Sequence, residues 1–312
     1  MSAAKESKIG LVVHGGAGTM ERGKMTPEHE REYRAGIENA LRAGWTILQH
    51  GGSALDASEA AVRSFEDDPL FNAGKGSVFN SAGVNEMDAA IMDGKTLRAG
   101  AVANIEHVKN PISLARLVME RSPHVMMAGA GAEAFAKEHG IELVDGKYFF
   151  TQPRWDELQR DKAKEKGASG DKQFITSPGT VGAVALDRHG NLAAATSTGG
   201  KSNKLPGRIG DSPIIGAGTY ANNATCAVSG TGDGEFFIMA TAAHDVSAIM
   251  EYRRKTLQEA SIAVIDKIGK LGGRGGMIGI DRGGNITLPF NTSGMYRGYV
   301  DQDGKFVTEI YR

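Results

Sequence analysis

One threonine stands where a chain cut would turn an ordinary side chain into a nucleophile. The polar tripeptide 177–179 precedes Thr180, and an apolar run follows at 181–186. A threonine hydroxyl is a poor nucleophile without a nearby base. If the Gly179–Thr180 bond is cut, the freed α-amine of Thr180, whose ordinary pKa is about 7.7–8.0, can act as that base. The pattern is weak alone, because threonine begins many strands.

A second segment, residues 207–213, carries groups that suit a free amino acid. Arg208 can hold a carboxylate through two parallel hydrogen bonds, and Asp211 can pair with an ammonium group. The two charges therefore match the two charged ends of an α-amino acid. An arginine and an aspartate at this spacing also form ordinary surface salt bridges, which contribute little.

A third segment, residues 229–235, is a glycine-rich turn between a predicted strand and a predicted helix. The hydroxyl of Thr231 and the backbone N–H of Gly232 could stabilise a developing oxyanion. A plain strand-to-helix turn accounts for the same composition. None of the three segments decides the function by itself.

The composition limits what the whole chain can be. The 312 residues carry a net charge of −1 and no basic block, which disfavours nucleic acid and anionic membranes as partners. No apolar stretch approaches membrane-spanning length, and the run at 9–13 is too short for a signal peptide. Cys226 is the single cysteine, so no intrachain disulfide can form. We expect a cytoplasmic enzyme.

The elements that must position these groups follow from apolar periodicity. Helices are predicted to begin at Thr26, with Pro27 at the first helical position, and at Ser53, which resembles a capping box. Further helices are predicted from 110, 132, 235 (to 252) and 256 (to 268), and β-hairpins at 180–197 and 277–288. Residues 154–179 are polar and predict an exposed linker. Antiparallel sheets covered by helices fit this order better than a doubly wound parallel sheet.

Taken together, the chain closely resembles the plant-type, or type III, L-asparaginases, which are isoaspartyl peptidases of the N-terminal-nucleophile hydrolase superfamily. The resemblance covers nearly the whole chain except the linker. The matching stretches are HGGAG at 14–18, DDPLFNAGKGSVFN at 67–80, MDAAIMDG at 87–94, AGAVA at 99–103, NPISLARLVME at 110–120, GTVGAVALD at 179–187, ATSTGG at 195–200, GRIGDSP at 207–213, GAGTYANN at 216–223 and TGDGE at 231–235.

The resemblance implies a fold and an activity. The fold would be α+β, a four-layer αββα sandwich, with an α subunit of residues 1–179 and a β subunit of residues 180–312 folded as one domain after autocleavage. The assembly would be a homodimer of such αβ heterodimers. The reaction would be hydrolysis of L-asparagine to L-aspartate and ammonia, and of β-aspartyl dipeptides. No cofactor would be required, although a structural sodium ion is possible.

The resemblance also assigns roles. Thr180 would be the self-cleaving residue and the catalytic nucleophile. Thr198 would be a second threonine that forms a hydrogen bond near this nucleophile. Arg208 and Asp211 would bind the substrate α-carboxylate and α-ammonium. The remaining family positions are the oxyanion pair Thr231 and Gly232, the amine-binding carbonyl of Gly234, the nucleophile-positioning Asn72, and the sodium-binding carbonyls of Phe65, Glu66, Asp68, Phe71, Ala73 and Lys75. His14 is expected to be structural. Asp233 lies inside the oxyanion turn at a position that varies in the family, where a carboxylate would raise the barrier to oxyanion formation if it pointed inward and would have no effect if it faced solvent.

Four other interpretations remain open. Residues 125–134, with Asp145 beyond them, resemble a dinucleotide-binding turn, but the surrounding βαβ alternation is missing. Lysosomal aspartylglucosaminidase uses similar chemistry but would call for a signal peptide and disulfides. A threonine protease of proteins fits the amino-acid-sized charge pair less well. A non-processing, inactive family member is disfavoured because every expected site residue is present.

Overall fold

A computed structural model describes residues 8–167, 179–301 and 303–312, which form two β-sheets with helices packed on them. The larger sheet runs from edge to edge in the order β12 (Phe306–Tyr311), β11 (Gly294–Val300), β1 (Gly10–Gly18), β5 (Val181–Leu186), β6 (Leu192–Thr198), β2 (Met87–Asp93), β3 (Ala99–Ile105) and β4 (Met126–Ala128). The smaller sheet is β10 (Ile286–Thr287), β9 (Gly275–Asp281), β8 (Cys226–Gly232) and β7 (Thr219–Ala221). Among these described strands, every neighbouring pair is antiparallel except β3 and β4.

The helices divide between the two sheets. The first group is α1 (Pro27–Gln49), α2 (Ala54–Glu66), α3 (Pro111–Arg121) and α4 (Gly129–Glu138), which contact the larger sheet. The second group is α6 (Gly234–Ala240), α7 (Ala242–Arg253) and α8 (Leu257–Lys270), which lie on the smaller sheet. Within the described part of the chain, no helix is long and apolar enough to cross a bilayer. The expected α+β class is therefore confirmed.

The central strands are buried on both faces, and their side chains divide between two hydrophobic cores. Side chains alternate along a strand. On β1, Leu11 and Val13 accordingly join the core under α1 and α2, whereas Val12 joins the core between the sheets. A third core lies between β8 and helices α7 and α8. This double burial explains why the central strands read as continuous apolar runs in the sequence.

The predicted helix starts are confirmed by their caps. The Thr26 side chain accepts a hydrogen bond from the backbone N–H of His29, and Pro27 occupies the first turn of α1. Ser53 caps α2 in the same way, through the N–H of Asp56. Each cap satisfies a backbone donor that would otherwise lack a partner at the helix start.

The expectation of an exposed linker over 154–179 is wrong for its first part. Residues Gln152–Gly167 form a helix, α5, although the composition is strongly polar. Leu158 on this helix is fully buried, and the Trp155 ring packs edge-on against Phe79 at 5.3 Å. Arg154 on the same helix also donates to the main-chain carbonyls of residues 70 and 76, so apolar packing and hydrogen bonds together dock the helix. The rest of the linker, residues 168–178, lies outside the described residues.

The single helix predicted over 235–252 is interrupted. Thr241 adopts a left-handed conformation (φ 50°) between α6 and α7. The backbone N–H groups of Ala243 and His244 donate to the carbonyls of residues 217 and 216. The first turn of α7 is therefore satisfied by a distant loop, which makes a separate helix start possible.

Candidate active site

One pocket gathers residues from both sheets and from the loops that follow β6 and β8. Its lining residues are Ala17, Gly179, Thr180, Thr198, Gly200, Lys201, Arg208, Gly210, Asp211, Ser212, Gly232, Asp233, Arg274 and Thr292. The group includes six residues singled out from the sequence for cleavage, catalysis or substrate binding: Gly179, Thr180, Thr198, Arg208, Asp211 and Gly232. The fold therefore brings together segments that are separated along the chain.

Thr180 lies at the start of β5 and is buried. Its Oγ1 donates to Thr198 Oγ1 at 3.2 Å, and Thr198 Oγ1 in turn accepts from the backbone N–H of Gly200 at 2.9 Å. Strands β5 and β6 pair antiparallel, with Val181 opposite Ser197, which places the two hydroxyls side by side. The Thr198 hydroxyl, which is itself oriented by the N–H of Gly200, therefore orients the Thr180 hydroxyl within the pocket.

Arg208 is held by a carboxylate that the sequence interpretation did not single out. Its Nε and Nη2 donate to Glu235 Oε1 at 3.0 and 2.8 Å, and Lys201 Nζ lies 2.9 Å from Glu235 Oε2. Burial alone would raise the pKa of Glu235, but the positive charges of Arg208 and Lys201 outweigh burial and lower it to about 2. Glu235 is therefore ionised and fixes one edge of the guanidinium.

Asp211 brings to the same pocket a carboxyl group with one unpartnered oxygen. The residue is buried, and its Oδ2 has no hydrogen-bond partner among the described residues. Burial raises the pKa of Asp211 to about 6, although the charge of Arg208 opposes the rise. A buried carboxylate oxygen without a donor is costly, and a cationic ligand would relieve that cost.

Of the three residues predicted to act in the glycine-rich turn, only Gly232 lines the pocket. Gly232 lines the pocket with φ 139°, and a Cβ there would collide with the Arg274 carbonyl, so only glycine fits. Thr231 is fully buried beside the pocket, and its Oγ1 accepts from the backbone N–H of Ala17 at 3.2 Å. Gly234 lies against the Asp211 carboxylate, where a Cβ would stand 2.6 Å from Oδ1.

The Asp233 side chain in this turn forms a hydrogen bond and an ion pair. Its Oδ2 accepts from the backbone N–H of Arg274 at 2.9 Å, and its Oδ1 lies 3.2 Å from Lys201 Nζ. The side chain is almost fully buried. Its negative charge is therefore offset by Lys201.

Asn72 does not line the pocket, but it forms hydrogen bonds with the loop that follows Thr198. Its Nδ2 donates to the carbonyl of Gly200 at 2.7 Å, its backbone carbonyl accepts from the N–H of Gly199 at 3.0 Å, and its Oδ1 accepts from the N–H of Val78 at 2.9 Å. The 71–78 loop is thus tied to residues 199–200, beside Thr198.

In the predicted sodium loop, residues 65–75, two of the predicted main-chain oxygens lie against glycines. A Cβ on Gly74 would collide with the Glu66 carbonyl, and one on Gly76 with the Phe71 carbonyl, so both oxygens point into a crowded turn. Within residues 8–167, 179–301 and 303–312, no cluster of three or more His, Cys, Asp or Glu side chains could hold a metal ion.

Three groups at the pocket escaped the sequence interpretation. Lys201 directly follows one recognised motif and Glu235 is the last residue of another, so their position was a usable signal. Arg274, which lies just before β9, carried no such signal, because only the pairing of β8 with β9 brings it beside Gly232. The dinucleotide-like stretch 125–134 lies elsewhere, on the exposed edge strand β4 and helix α4.

Comparison with known proteins places the chain in a family. The sequence model of the family described as asparaginase matches residues 7–310. The chain belongs to this family. It is 50% identical to the isoaspartyl peptidase of Escherichia coli K12, over 98% of this chain and 97% of that protein. It is 44% identical to a probable isoaspartyl peptidase/L-asparaginase of Arabidopsis thaliana, over 96% and 98% of the two chains. An isoaspartyl peptidase/L-asparaginase of Rattus norvegicus is 45% identical, over 94% and 86%. This asparaginase-family chain is a hydrolase.

Proposed function

We propose that this chain is a self-processing amidohydrolase that hydrolyses L-asparagine and β-aspartyl dipeptides, with Thr180 as its N-terminal nucleophile. One observation carries the substrate class. The guanidinium of Arg208 and the carboxylate of Asp211, one oxygen of which lacks a hydrogen-bond partner among the described residues, share a pocket with the Thr180 hydroxyl. These groups match the α-carboxylate and α-ammonium of an aspartyl unit, which leaves its side-chain amide to meet Thr180. The names of the relatives, isoaspartyl peptidase and L-asparaginase, support the same substrates.

Self-cleavage would come first. The Thr180 Oγ1 attacks the carbonyl carbon of Gly179, the peptide nitrogen leaves as the Thr180 α-amine, and water hydrolyses the resulting ester. Both residues of this bond line the pocket, which supports the assignment. The reaction would give residues 1–179 and 180–312.

In the hydrolytic reaction, the freed α-amine of Thr180 takes the hydroxyl proton, directly or through a water, as Oγ1 attacks the substrate amide carbon. The backbone N–H of Gly232, with the nearby Thr231 hydroxyl, stabilises the oxyanion. The leaving nitrogen takes the proton and departs as ammonia or an amino acid. Water then attacks the β-aspartyl ester and releases aspartate. Thr198 orients the attacking hydroxyl throughout.

The remaining parts of the proposal concern architecture and location. The two face-packed sheets with helices on their outer faces support a four-layer αββα sandwich. The family resemblance supports a homodimer of αβ heterodimers, which sedimentation would test. The low net charge and single cysteine support a cytoplasmic protein.

A structural sodium ion also belongs to the proposal. The carbonyls of Phe65, Glu66, Asp68, Phe71, Ala73 and Lys75 would hold it, because carbonyl oxygens are ligands that a hard cation prefers. The Glu66 and Phe71 oxygens lie against Gly74 and Gly76, where only a residue without a side chain leaves them space. The ion would stiffen the loop that carries Asn72 and take no part in bond making. Thermal unfolding with sodium or tetramethylammonium chloride at equal ionic strength tests this, and equal midpoints would contradict it.

Intact-mass analysis after prolonged incubation tests the main proposal. The wild type should yield two fragments that end and begin at Gly179 and Thr180, and Thr180→Ala should remain whole. Ammonia release from asparagine and aspartate release from β-aspartyl-leucine should appear with the fragments. A folded wild-type chain that stays whole and releases neither product would refute the proposal.

A further inference from the structure

A buried imidazole connects the Thr180 backbone to the space between the two sheets. His14 on β1 is fully buried. Its Nδ1 lies 3.0 Å from the carbonyl oxygen of Thr180, and its Nε2 lies 2.9 Å from Ser229 Oγ on β8. His14 does not line the pocket, so it reaches the reacting centre only through Thr180.

The partners of this imidazole fix which nitrogen carries the proton. A carbonyl oxygen can only accept, so Nδ1 must donate to Thr180. Burial lowers the pKa of His14 to about 3, which keeps the ring neutral at working pH. Nε2 is then an acceptor, and the Ser229 hydroxyl must donate to it.

Two more hydroxyl groups continue the chain of hydrogen bonds beyond Ser229. Ser229 Oγ lies 2.7 Å from Thr196 Oγ1, which lies 2.6 Å from Thr219 Oγ1. The Ser229 proton is already committed to His14, so Thr196 donates to Ser229, and Thr219 donates to Thr196. The chain of hydrogen bonds therefore runs one way, from Thr219 on β7 to the Thr180 carbonyl on the other sheet.

Gly182 leaves the space that the contact between His14 and Ser229 requires. Gly182 pairs with His14 across β1 and β5, and a Cβ there would collide with Ser229 Oγ and His14 Nε2. Gly182 is therefore required by the imidazole–hydroxyl contact and by no turn, since it lies inside a strand. This collision is a second observation, independent of the hydrogen bonds, that the space beside Thr180 is reserved for His14.

We propose that His14 is a positioning residue, whose Nδ1–H holds the Thr180 carbonyl and so fixes the backbone from which the nucleophile projects. The inference rests on the proposed role of Thr180. The hydroxyl and the freed α-amine are both attached to the Cα of Thr180, beside the anchored carbonyl. A displacement of about 1 Å at such a group costs on the order of 100-fold in rate.

Two substitutions separate positioning from simple packing. His14→Leu removes the donor, and kcat for asparagine should fall on the order of 100-fold while KM changes about twofold or less, because Arg208 and Asp211 are untouched. Self-cleavage of the precursor should slow as well. His14→Asn places an amide N–H near the position of Nδ1, and it should recover most of the lost kcat.

A matched pair of serine substitutions covers the case in which His14→Leu does not fold. Ser229 and Ser247 are both buried, and each makes a short contact with a threonine hydroxyl, 2.7 Å to Thr196 and 2.6 Å to Thr225. Ser229→Ala should lower kcat about tenfold, because the acceptor side of His14 loses its donor. Ser247→Ala, outside the pocket, should leave kcat unchanged although it removes a similar contact.

The outcomes are distinguishable. If the wild type neither cleaves itself nor hydrolyses asparagine, the proposed function fails, and the His14 inference, which rests on the role of Thr180, fails with it. If the wild type is active and His14→Leu keeps its kcat, or Ser229→Ala and Ser247→Ala have equal kcat, the positioning role is overturned. Nitrogen-15 spectra of the wild type should show a neutral imidazole protonated at Nδ1, and a proton at Nε2 would also overturn it.

Discussion

The guanidinium of Arg208 is bound along one edge by a single oxygen of Glu235, at 3.0 Å from Nε and 2.8 Å from Nη2. No described residue forms a hydrogen bond with Nη1. Arg208 also lines the pocket, beside Asp211. The ion pair therefore orients the arginine and leaves donors available to a ligand carboxylate.

Arg208→Lys should lower kcat/KM for asparagine about 100-fold or more. Lysine keeps the positive charge but cannot form a two-point contact with a carboxylate while also binding Glu235. Steady-state kinetics of the self-cleaved variant checks this. Arg42→Lys, at an exposed helix pair with Glu38, is the matched control and should have wild-type kinetics. Equal kcat/KM in all three proteins would contradict the role of Arg208.

Asp211 should make kcat/KM fall as the pH drops through about 6, the raised pKa of its buried carboxyl. Only the ionised form attracts the substrate ammonium. Bound substrate holds Asp211 ionised, so this acid limb should be absent from kcat, which instead reports the Thr180 amine. Asp211→Asn should raise KM about tenfold or more and remove the limb from what activity remains. An unchanged profile in that variant would assign the limb to another group.

The same carboxyl should cost stability in the unliganded enzyme. Because its pKa is higher in the folded state than in the unfolded state, unfolding free energy falls as pH rises from about 4 to above 6. Asp211→Asn should therefore unfold at an equal or higher temperature at pH 7, although it binds substrate poorly. A lower midpoint at pH 7 would show that the carboxylate stabilises the empty pocket.

Thr198→Val should lower kcat and slow self-cleavage, because valine keeps the shape but cannot accept from Thr180 Oγ1 or from the N–H of Gly200. A loss on the order of 100-fold in kcat is expected from a misdirected nucleophile. Thr198→Ser retains the hydroxyl and should stay within about tenfold of the wild type. If valine and serine give the same kcat, the hydroxyl is not what orients Thr180.

Glu66 should make the protein less stable in mild alkali. This fully buried carboxyl accepts from Ser197 Oγ at 2.6 Å, yet burial raises its pKa to about 8. The folded state therefore holds a proton that the unfolded state releases above about 4.5. Unfolding free energy should fall as pH rises from there to about 8, by at most about 1.4 kcal/mol per pH unit.

Glu66→Gln should flatten this slope and raise stability at pH 8, because an amide does not titrate. Urea unfolding at pH 5, 6.5 and 8 checks it. Glu38→Gln, the same substitution at an exposed helix position, is the control. A slope in Glu66→Gln that is equal to or steeper than that of the wild type would contradict the assignment.

Much of the fold could be predicted from sequence because its signals are local. The caps at Thr26 and Ser53 depend on residues three positions away, and the hairpins on short turns. Local composition misled at α5, where Leu158 and Trp155 dock a polar helix against residues far away in sequence. It also missed the break at Thr241, which depends on carbonyls some 25 residues upstream.

For the site, the sequence by itself determined which groups are available: a threonine after Gly179, an arginine and an aspartate three apart, and a glycine-rich turn. Residue type and spacing suffice for this because they specify functional groups. Only the tertiary structure decided that these groups share one pocket, that one oxygen of Asp211 lacks a partner among the described residues, and that His14 touches the Thr180 carbonyl. Those facts depend on burial and on pairing between distant strands, and no local signal encodes them.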